Sequence, residues 1–178
     1  MADWLQGPYF YEVYKEKIFD GEPISEDMIA RLFLFGFGSS MIFGTFIGGV
    51  VDKLGRKKGC LLFVILYILS ALSTHSTSYP ILCFGRILGG MATSLLFSAP
   101  ESWLVSQHHA SHFNEGWLGS LFGWMYFGDG IVAIIAGLVA SFAASVAGPV
   151  GPFNVSVTLL VLGGLWVNLK WTENFGDM

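Results

Sequence analysis

Charged residues are scarce in this sequence: Asp, Glu, Lys and Arg together make up 12% of its 178 residues. An average soluble domain is about one-quarter charged, because a chain folded in water needs a charged shell. Hydrophobic residues reach 53%, aromatic residues reach 16%, and the mean hydropathy is +0.62. The composition therefore excludes an ordinary soluble domain and predicts a protein whose main solvent is lipid.

Basic clusters and cysteines are also few. The net charge is -4 and only one short basic cluster occurs, so nothing indicates nucleic acid as a partner. Residues 1–4 hold no basic group ahead of an apolar run, which argues against a cleaved signal peptide. Cys60 and Cys83 fall at opposite ends of two neighbouring predicted helices. Because a disulfide needs Cα atoms within about 7 Å, we expect both thiols to be free.

Signatures of catalysis and metal binding are missing as well. There is no Gly-rich phosphate loop, nucleophile elbow or zincin motif, and the ionisable groups in apolar stretches are isolated, so we expect neither an enzyme nor a cofactor. His108, His109 and His112 include an i, i+4 pair, but no Cys accompanies them, and a solvated loop is the interpretation we adopt. Asn154 begins a glycosylation sequon inside a predicted membrane helix, where it would be inaccessible.

Long apolar runs dominate what is present. Because a bilayer core about 30 Å thick needs roughly 20 helical residues, they predict one partial and five full crossings. The predicted spans are residues 2–14 (partial), 31–51, 59–74, 79–100, 117–146 and 153–171. The first is too short to cross alone at about 1.5 Å per residue, so we interpret it as the outer portion of a truncated helix. The predicted fold class is an all-α membrane protein, with residues 1–178 in a single transmembrane bundle.

Polar segments separate these spans. Residues 52–58 form a charged turn, residues 75–78 are polar, and residues 101–115 are His-rich and predict a loop. Residues 148–152 contain two prolines, which break the helix there.

Basic residues favour one side of the predicted bundle. The Lys53–Lys58 loop holds four of them, and Lys170 falls on the same side. The opposite side has three basic residues among six acidic ones, which are Glu12, Glu16, Asp20, Glu22, Glu26 and Asp27. Since short basic loops stay in the cytoplasm, we place the Lys53–Lys58 loop there and expect a multi-pass protein of the plasma membrane.

Small residues recur every four positions in three stripes. The stripes are Gly36, Ser40, Gly44 and Gly48; Gly85, Gly89 and Thr93; and Ala133, Gly137, Ser141 and Ser145. In lipid, such stripes let helix backbones approach closely. We therefore expect all three to pack inside the bundle rather than to contact a substrate.

A distinctive motif, residues 48–58, covers the inner end of the second predicted span and the loop that follows it. Gly48 would permit close helix approach, Gly55 a tight turn, and Asp52 could pair with neighbouring bases or helix N-termini. An ordinary basic loop, the alternative, needs neither the glycines nor the Asp. The motif resembles the signature of the major facilitator superfamily: Gly, three residues, Asp, a basic residue, one residue, Gly and two basic residues. The matching positions are Gly48, Asp52, Lys53, Gly55, Arg56 and Lys57.

The resemblance carries expectations about this loop. In the superfamily it docks against a helix of the other half and steadies the outward-facing state, which implies a conformational latch whose partner this chain does not contain. Residues 86–90, Arg-Ile-Leu-Gly-Gly, resemble a second superfamily signature.

Within the superfamily, the chain resembles the eukaryotic molybdate-anion transporters. The resemblance rests on residues 3–9, 85–90, 95–99, 101–103, 148–153 and 171–174. It covers essentially the whole chain and about half of a typical member, and it implies an N-terminal six-helix bundle. The implied function is a transporter, or half of one, that takes up molybdate or a related oxyanion by alternating access. Its partners would be the bilayer and a missing C-terminal half or a second copy. The alternative is a truncated, non-transporting membrane module that associates with another transporter.

Five residues are candidates for contact with the substrate or for proton coupling. Ionisable groups inside a membrane are costly and usually face protein or a water-filled cavity. Arg86, the only basic residue away from the ends of a predicted span, either serves an oxyanion or proton coupling, or pairs structurally with Asp129 or Asp3. Asp129 either exchanges a proton during transport or makes a satisfied polar contact. Asp3, Gln6 and Tyr9 share a stripe that either lines the cavity or forms a wet helix end.

Overall fold

The computed structural model describes residues 1–19 and 21–176, most of which are helical. The helices are α1 (Ala2–Gln6), a 3-10 turn (Gly7–Tyr9), α2 (Phe10–Lys15), α3 (Glu26–Gly44), α4 (Ile47–Leu54), α5 (Arg56–Ser73), α6 (Tyr79–Leu96), α7 (Ala99–Ala110), α8 (Gly116–Ala147) and α9 (Gly151–Lys170). Two short strands, β1 (Ile18–Phe19) and β2 (Glu22–Pro23), pair antiparallel, a small departure from the all-α prediction. Asp20, counted above among the acids, lies outside the described residues.

Among the residues that the structure describes, four helical stretches are long and apolar enough to cross a membrane. They are Glu26–Gly44, Tyr79–Ala110, Gly116–Ala147 and Gly151–Lys170. The protein is therefore an all-α membrane protein. The predicted span 59–74 corresponds to α5, whose first turn carries three basic residues.

The prediction of a loop over residues 101–115 is wrong for its first ten residues. After a break at Phe97 and Ser98, α7 continues the helix to Ala110. Pro100 lies in the first turn of α7, where its missing N–H leaves no helical hydrogen bond unmade. Glu101 follows in the same turn, where a negative charge favours the helix N-terminus. A proline and polar residues therefore start a helix here instead of ending one.

The predicted charged turn at residues 52–58 is also shorter than expected. Helix α4 runs through Asp52 to Leu54, and α5 begins at Arg56. Only Gly55 lies between them, with a φ of 112°. Because a side chain is strained at that φ, a single glycine accomplishes the reversal.

Helix α6 packs closely on two neighbours, and we call this region the α3–α6–α5 seam. A Cβ on Gly89 would lie 2.7 Å from Ser70 Oγ of α5, and Gly85 packs against Ser73. Gly90 packs against the backbone of α3, with Ser40 N 2.8 Å from where its Cβ would be. The prediction of close packing is confirmed for these stripes of α3 and α6.

The third stripe is different. Nothing lies within 4 Å of a Cβ built on Gly137, while the buried face of α8 consists of Ala136, Ala140 and Ala143. Gly48 in α4 likewise faces open space. At Gly137 the expectation of packing inside the bundle is therefore wrong, because the small residues on the adjacent face of α8 make the contact instead. At Gly48 no described residue of this chain makes the close approach.

On the other side of the bundle, α1 packs on α8 and α9. Leu5 is fully buried against Ala136 and Ala140. Gln6 Nε2 donates a hydrogen bond of 2.6 Å to Ser156 Oγ, which in turn donates to the Ala2 carbonyl at 2.8 Å. This contact fixes α1 against two long helices.

Candidate functional site

A cavity of about 550 Å³ opens between α1, α5, α6–α7, α8 and α9, and we call it the groove. Most of its lining is apolar. Its polar side chains are Asp3 and Trp4 from α1, Glu101 from α7, and Tyr126 and Asp129 from α8. The groove thus gathers carboxylates from three separate helices.

Each of these carboxylates accepts a hydrogen bond from an aromatic side chain. Trp4 Nε1 donates to both carboxylate oxygens of Asp129, at 3.1 and 3.3 Å. Tyr126 donates its hydroxyl to Glu101 at 2.8 Å, and Tyr67 donates its hydroxyl to Asp3.

Throughout residues 1–19 and 21–176, no Lys, Arg or His side chain lines this cavity. An arrangement of three carboxylates can bind protons or attract a cation, whereas like charges repel a bare anion.

Arg86 lies outside the groove, buried between α6 and α3 with 8% of its surface exposed. Its Nε donates to the Leu32 carbonyl at 3.4 Å. Its Cζ lies 4.2 Å from the Phe10 ring centroid and 5.5 Å from that of Phe33. The guanidinium fills the space above Gly36, where a Cβ would come 2.8 Å from Cζ. Cation–π contacts and a carbonyl thus stabilise this charge.

Pairing with an acid was one of two alternatives for Arg86, and no such ion pair occurs in the part of the chain that the structure describes. Asp129 is bound to Trp4, and Asp3 is bound to Tyr67. The sequence placed these charges correctly on helices, but the rotation of each helix decides which side chains meet. Aromatic rings close in space, which no spacing rule reveals, take the place of the acid.

Of the predicted stripe in the first segment, only Asp3 lines the groove. Gln6 is fully buried against α9, and its Oε1 has no hydrogen-bond partner. Tyr9 packs between two apolar clusters. Trp4, between these positions, supplies a groove contact that the helical stripe did not include.

The signature motif lies at one end of the bundle, which we call the motif end. Asp52 Oδ1 accepts a 2.8 Å hydrogen bond from Arg56 Nε. Glu173, beyond α9, accepts from the backbone N–H groups of Lys57 at 2.8 Å and Lys58 at 3.3 Å. These are the free N–H groups at the start of α5, so Glu173 caps that helix. A Cβ on Gly55 would lie within 2.8 Å of this carboxylate, which is a second reason for glycine.

Residues 171–176 tie the motif to the rest of the motif end. Arg56 N donates to the Asn174 carbonyl at 3.0 Å, and Gly176 N donates to the Asp52 carbonyl at 2.9 Å. Trp103 of α7 stacks on Trp171 at 3.9 Å. The motif therefore has partners within this chain, although sequence reasoning expected its partner elsewhere. The glutamate after the last predicted span was the available signal.

Of the remaining motif positions and reactive groups, Lys53 and Lys57 lie outside the groove, whereas Cys60 lines its wall. Lys53 is exposed in the last turn of α4, and Lys57 Nζ donates to the Asn168 carbonyl at 2.8 Å. Cys60 and Cys83 are free, as predicted. Among the described residues, no group of three or more His, Cys, Asp or Glu side chains is placed to hold a metal ion.

Comparison with known proteins identifies the family. Residues 1–178 match a family described as sugar transporters with 12 transmembrane segments. A molybdate-anion transporter of Xenopus tropicalis is 39% identical over 99% of this chain and 38% of its own length. The corresponding proteins of Takifugu rubripes and Danio rerio are 37% and 36% identical over 97% of this chain and 35% of their own lengths.

The chain therefore spans little more than one-third of the length of these curated relatives. The family match covers every residue of the chain, and the signature turn lies between two of its helices. The chain belongs to the major facilitator superfamily and is a relative of the molybdate-anion transporters.

Proposed function

We propose that this chain forms the N-terminal six-helix bundle, with a partial first helix, of a transporter that moves molybdate or a related oxyanion into the cell. The observation that carries the proposal is its 36–39% identity, over at least 97% of its length, to proteins named molybdate-anion transporters. Alternating access in such folds needs a second half that closes the substrate site. The motif end would face the cytoplasm of the plasma membrane, with residues 48–58 as the conformational latch.

The groove carboxylates fit the energetics of anion uptake. Moving one charge against a membrane potential costs about 2.3 kcal/mol per 100 mV, so a dianion costs about twice that. A carboxylate that gains a proton as the anion binds carries positive charge inward and offsets this cost. Asp129 and Asp3, near the middle of the bundle, would serve in this way. Arg86 is enclosed by aromatic rings, and this environment favours a structural role for it over contact with the anion.

A second candidate, sugar transport, is favoured by the groove's chemistry. Carboxylates beside Trp4 and Tyr126 offer hydrogen-bond acceptors and aromatic faces, a combination that suits a neutral polyol. No basic side chain of the described residues lines the groove. The description of the matching family also names sugars.

The test joins this chain to the C-terminal remainder of the Xenopus tropicalis relative and expresses it in cells that lack molybdate import. We expect molybdenum uptake, measured by mass spectrometry, that excess sulfate reduces. Asp129→Asn is expected to lower uptake at least tenfold, while Glu115→Gln, at an exposed position outside the groove, leaves it unchanged.

The possible outcomes separate the hypotheses. Absence of molybdenum uptake by a fusion that reaches the membrane contradicts the proposal. Uptake of a labelled sugar instead supports the second candidate. A non-transporting module would show no uptake in the fusion, and the unfused chain would change the activity of a co-expressed transporter.

A further inference from the structure

Helices α5 and α9 pack side by side and present two surfaces. Where they meet, Gly164 packs against Val64, whose Cγ1 lies 2.9 Å from the position of a Cβ on the glycine. On one side of this contact the two helices line the groove, through Cys60, Phe63, Gly163 and Val167. The side that points away from the groove is a second surface, which we call the α5–α9 surface.

The α5–α9 surface is apolar and exposed. Its large side chains, 40–76% exposed, are Leu62, Ile65 and Leu69 of α5 and Leu162, Leu165 and Leu169 of α9. On each helix they recur at intervals of three or four residues, so they follow one side of that helix. In a protein that spans a bilayer, an exposed apolar helix face contacts the acyl chains of lipids.

Two lysines lie where this surface reaches the motif end. Lys58 is exposed and precedes Leu62 by four positions, so it belongs to the same side of α5. Lys57 Nζ donates to the Asn168 carbonyl at 2.8 Å, so this ammonium group lies between the ends of α5 and α9. Among the described residues, neither ammonium group pairs with a carboxylate. Glu173 accepts only from the backbone N–H groups of these lysines, and their two positive charges outnumber its single negative charge.

The apolar part of the surface has the depth of one lipid leaflet. From Lys58 to Leu69 the helix rises about 16 Å, at about 1.5 Å per residue. One leaflet contributes half of a hydrocarbon core about 30 Å thick. At the same end of α9, Lys170 Nζ lies 5.9 Å from the ring centroid of the exposed Trp166. Because tryptophan concentrates at membrane interfaces, this ring indicates that the lysines lie at the level of lipid headgroups.

We propose that the α5–α9 surface binds an anionic phospholipid, with the phosphate at Lys57 and Lys58 and the acyl chains along the two helices. Each basic residue near an anionic membrane surface strengthens such binding about fivefold. The exposed leucines favour a lipid over a free phosphate compound, because only acyl chains cover them. The proposed orientation places this end at the cytoplasmic leaflet, where anionic lipids are enriched. The binding itself requires neither the proposed substrate nor transport.

The test places the full chain in phosphatidylcholine nanodiscs that contain a small fraction of phosphatidylserine with a photoreactive diazirine in one acyl chain. Labelled peptides are identified by mass spectrometry. We expect this lipid to label the α5–α9 surface at least fivefold more than phosphatidylcholine with the same diazirine does. Excess glycerophosphoserine, the headgroup without acyl chains, should leave the labelling unchanged. Equal labelling by the two lipids, or loss of labelling with glycerophosphoserine, would overturn the proposal.

Two double variants separate this site from general attraction by charge. Lys57→Gln with Lys58→Gln should reduce the preference for phosphatidylserine at least fivefold. Lys53→Gln with Lys170→Gln removes the same charge from the same end of the bundle and should change the preference less than twofold. An equal reduction in both would contradict a defined site. The comparison of the two lipids on the unsubstituted chain decides the question even if loss of the contact between Lys57 and Asn168 prevents folding.

Discussion

Small residues occur on both sides of this bundle, but they pack differently on each. In the α3–α6–α5 seam, Gly89 and Gly90 lie directly against neighbouring side chains and backbone. Along α8 and α9, Gly137 and Gly163 face open space. A glycine in an apolar helix therefore indicates that a second helix can approach there. It does not show that another helix of this chain makes the contact.

The polar groups of the seam and of the groove also differ in what they contact. In the seam, Ser39 Oγ donates to the Ile87 carbonyl at 3.1 Å, and Ser94 Oγ donates to the Ser40 carbonyl at 3.0 Å. Such hydrogen bonds join a side-chain hydroxyl of one helix to a backbone carbonyl of the next, and these groups have no alternative protonation state at neutral pH. In the groove, the polar groups are carboxylates that can gain or lose a proton. The polar groups of the seam therefore hold helices together, whereas those of the groove include carboxylates that can change their charge.

The strongest way to break this comparison is to substitute leucine at a glycine in each region. Gly90→Leu places a side chain against Ser39 and against the backbone of α3. The backbone cannot move aside as the end of a flexible side chain could. Overpacking in a core costs about 1–3 kcal/mol of stability. Because the new side chain meets the backbone of α3, we expect the loss of stability to reach or exceed the upper end of this range. We expect a fall of 10 °C or more in melting temperature in detergent, or failure to fold.

The matched variant is Gly137→Leu, which meets no neighbour. Its free energy of unfolding should change by less than about 0.5 kcal/mol, as for other surface positions. Equal melting temperatures for Gly90→Leu and Gly137→Leu would contradict the conclusion that glycines of the seam are packed and Gly137 is not.

The sequence predicted the seam well because its signal is local. Glycines at four-residue spacing in an apolar run determine a flat helix face, and the faces of Gly36 and Gly85 do meet neighbours. The open face of α8 carries the same signal. Which of its two small faces packs depends on the rotation of α8 against α1, a property of long-range contacts that one sequence does not encode visibly.

The site was less predictable than the fold. Asp3 and Asp129 were recognised as costly groups in apolar helices, and both line the groove. Their partners Tyr67 and Trp4 were not, because aromatic residues are abundant here and carry no distinguishing signal. For Arg86 the two alternatives were an anion or proton-coupling role and an acidic partner, and neither included the aromatic faces and the carbonyl that lie against its charge.

The motif end connects the groove and the seam through Glu173. Removing this connection should lower the melting temperature less than Gly90→Leu does. Glu173 follows α9, which lines the groove, and caps α5, which belongs to the seam. Loss of a helix cap costs about 0.5–2 kcal/mol, so Glu173→Ala should lower the melting temperature by several degrees.

Glu173→Gln retains a hydrogen-bond acceptor without the charge, so its melting temperature should lie between those of the unsubstituted protein and Glu173→Ala. Glu115→Ala removes an exposed glutamate without a side-chain capping bond and serves as the control. A melting temperature of Glu173→Ala equal to that of Glu115→Ala would show that the tail contributes no connection.

The smallest effect is expected in the groove itself, at the hydrogen bond between Trp4 and Asp129. Trp4→Phe removes the donor but keeps an aromatic ring, and because both residues are exposed the free energy of unfolding should fall by only about 0.5–1 kcal/mol. Trp4→Phe combined with Asp129→Asn should cost less than the sum of the two single changes, since the bond is lost only once. Full additivity in thermal unfolding would show that this pair is not coupled, and that the groove carboxylates are oriented by helix packing alone.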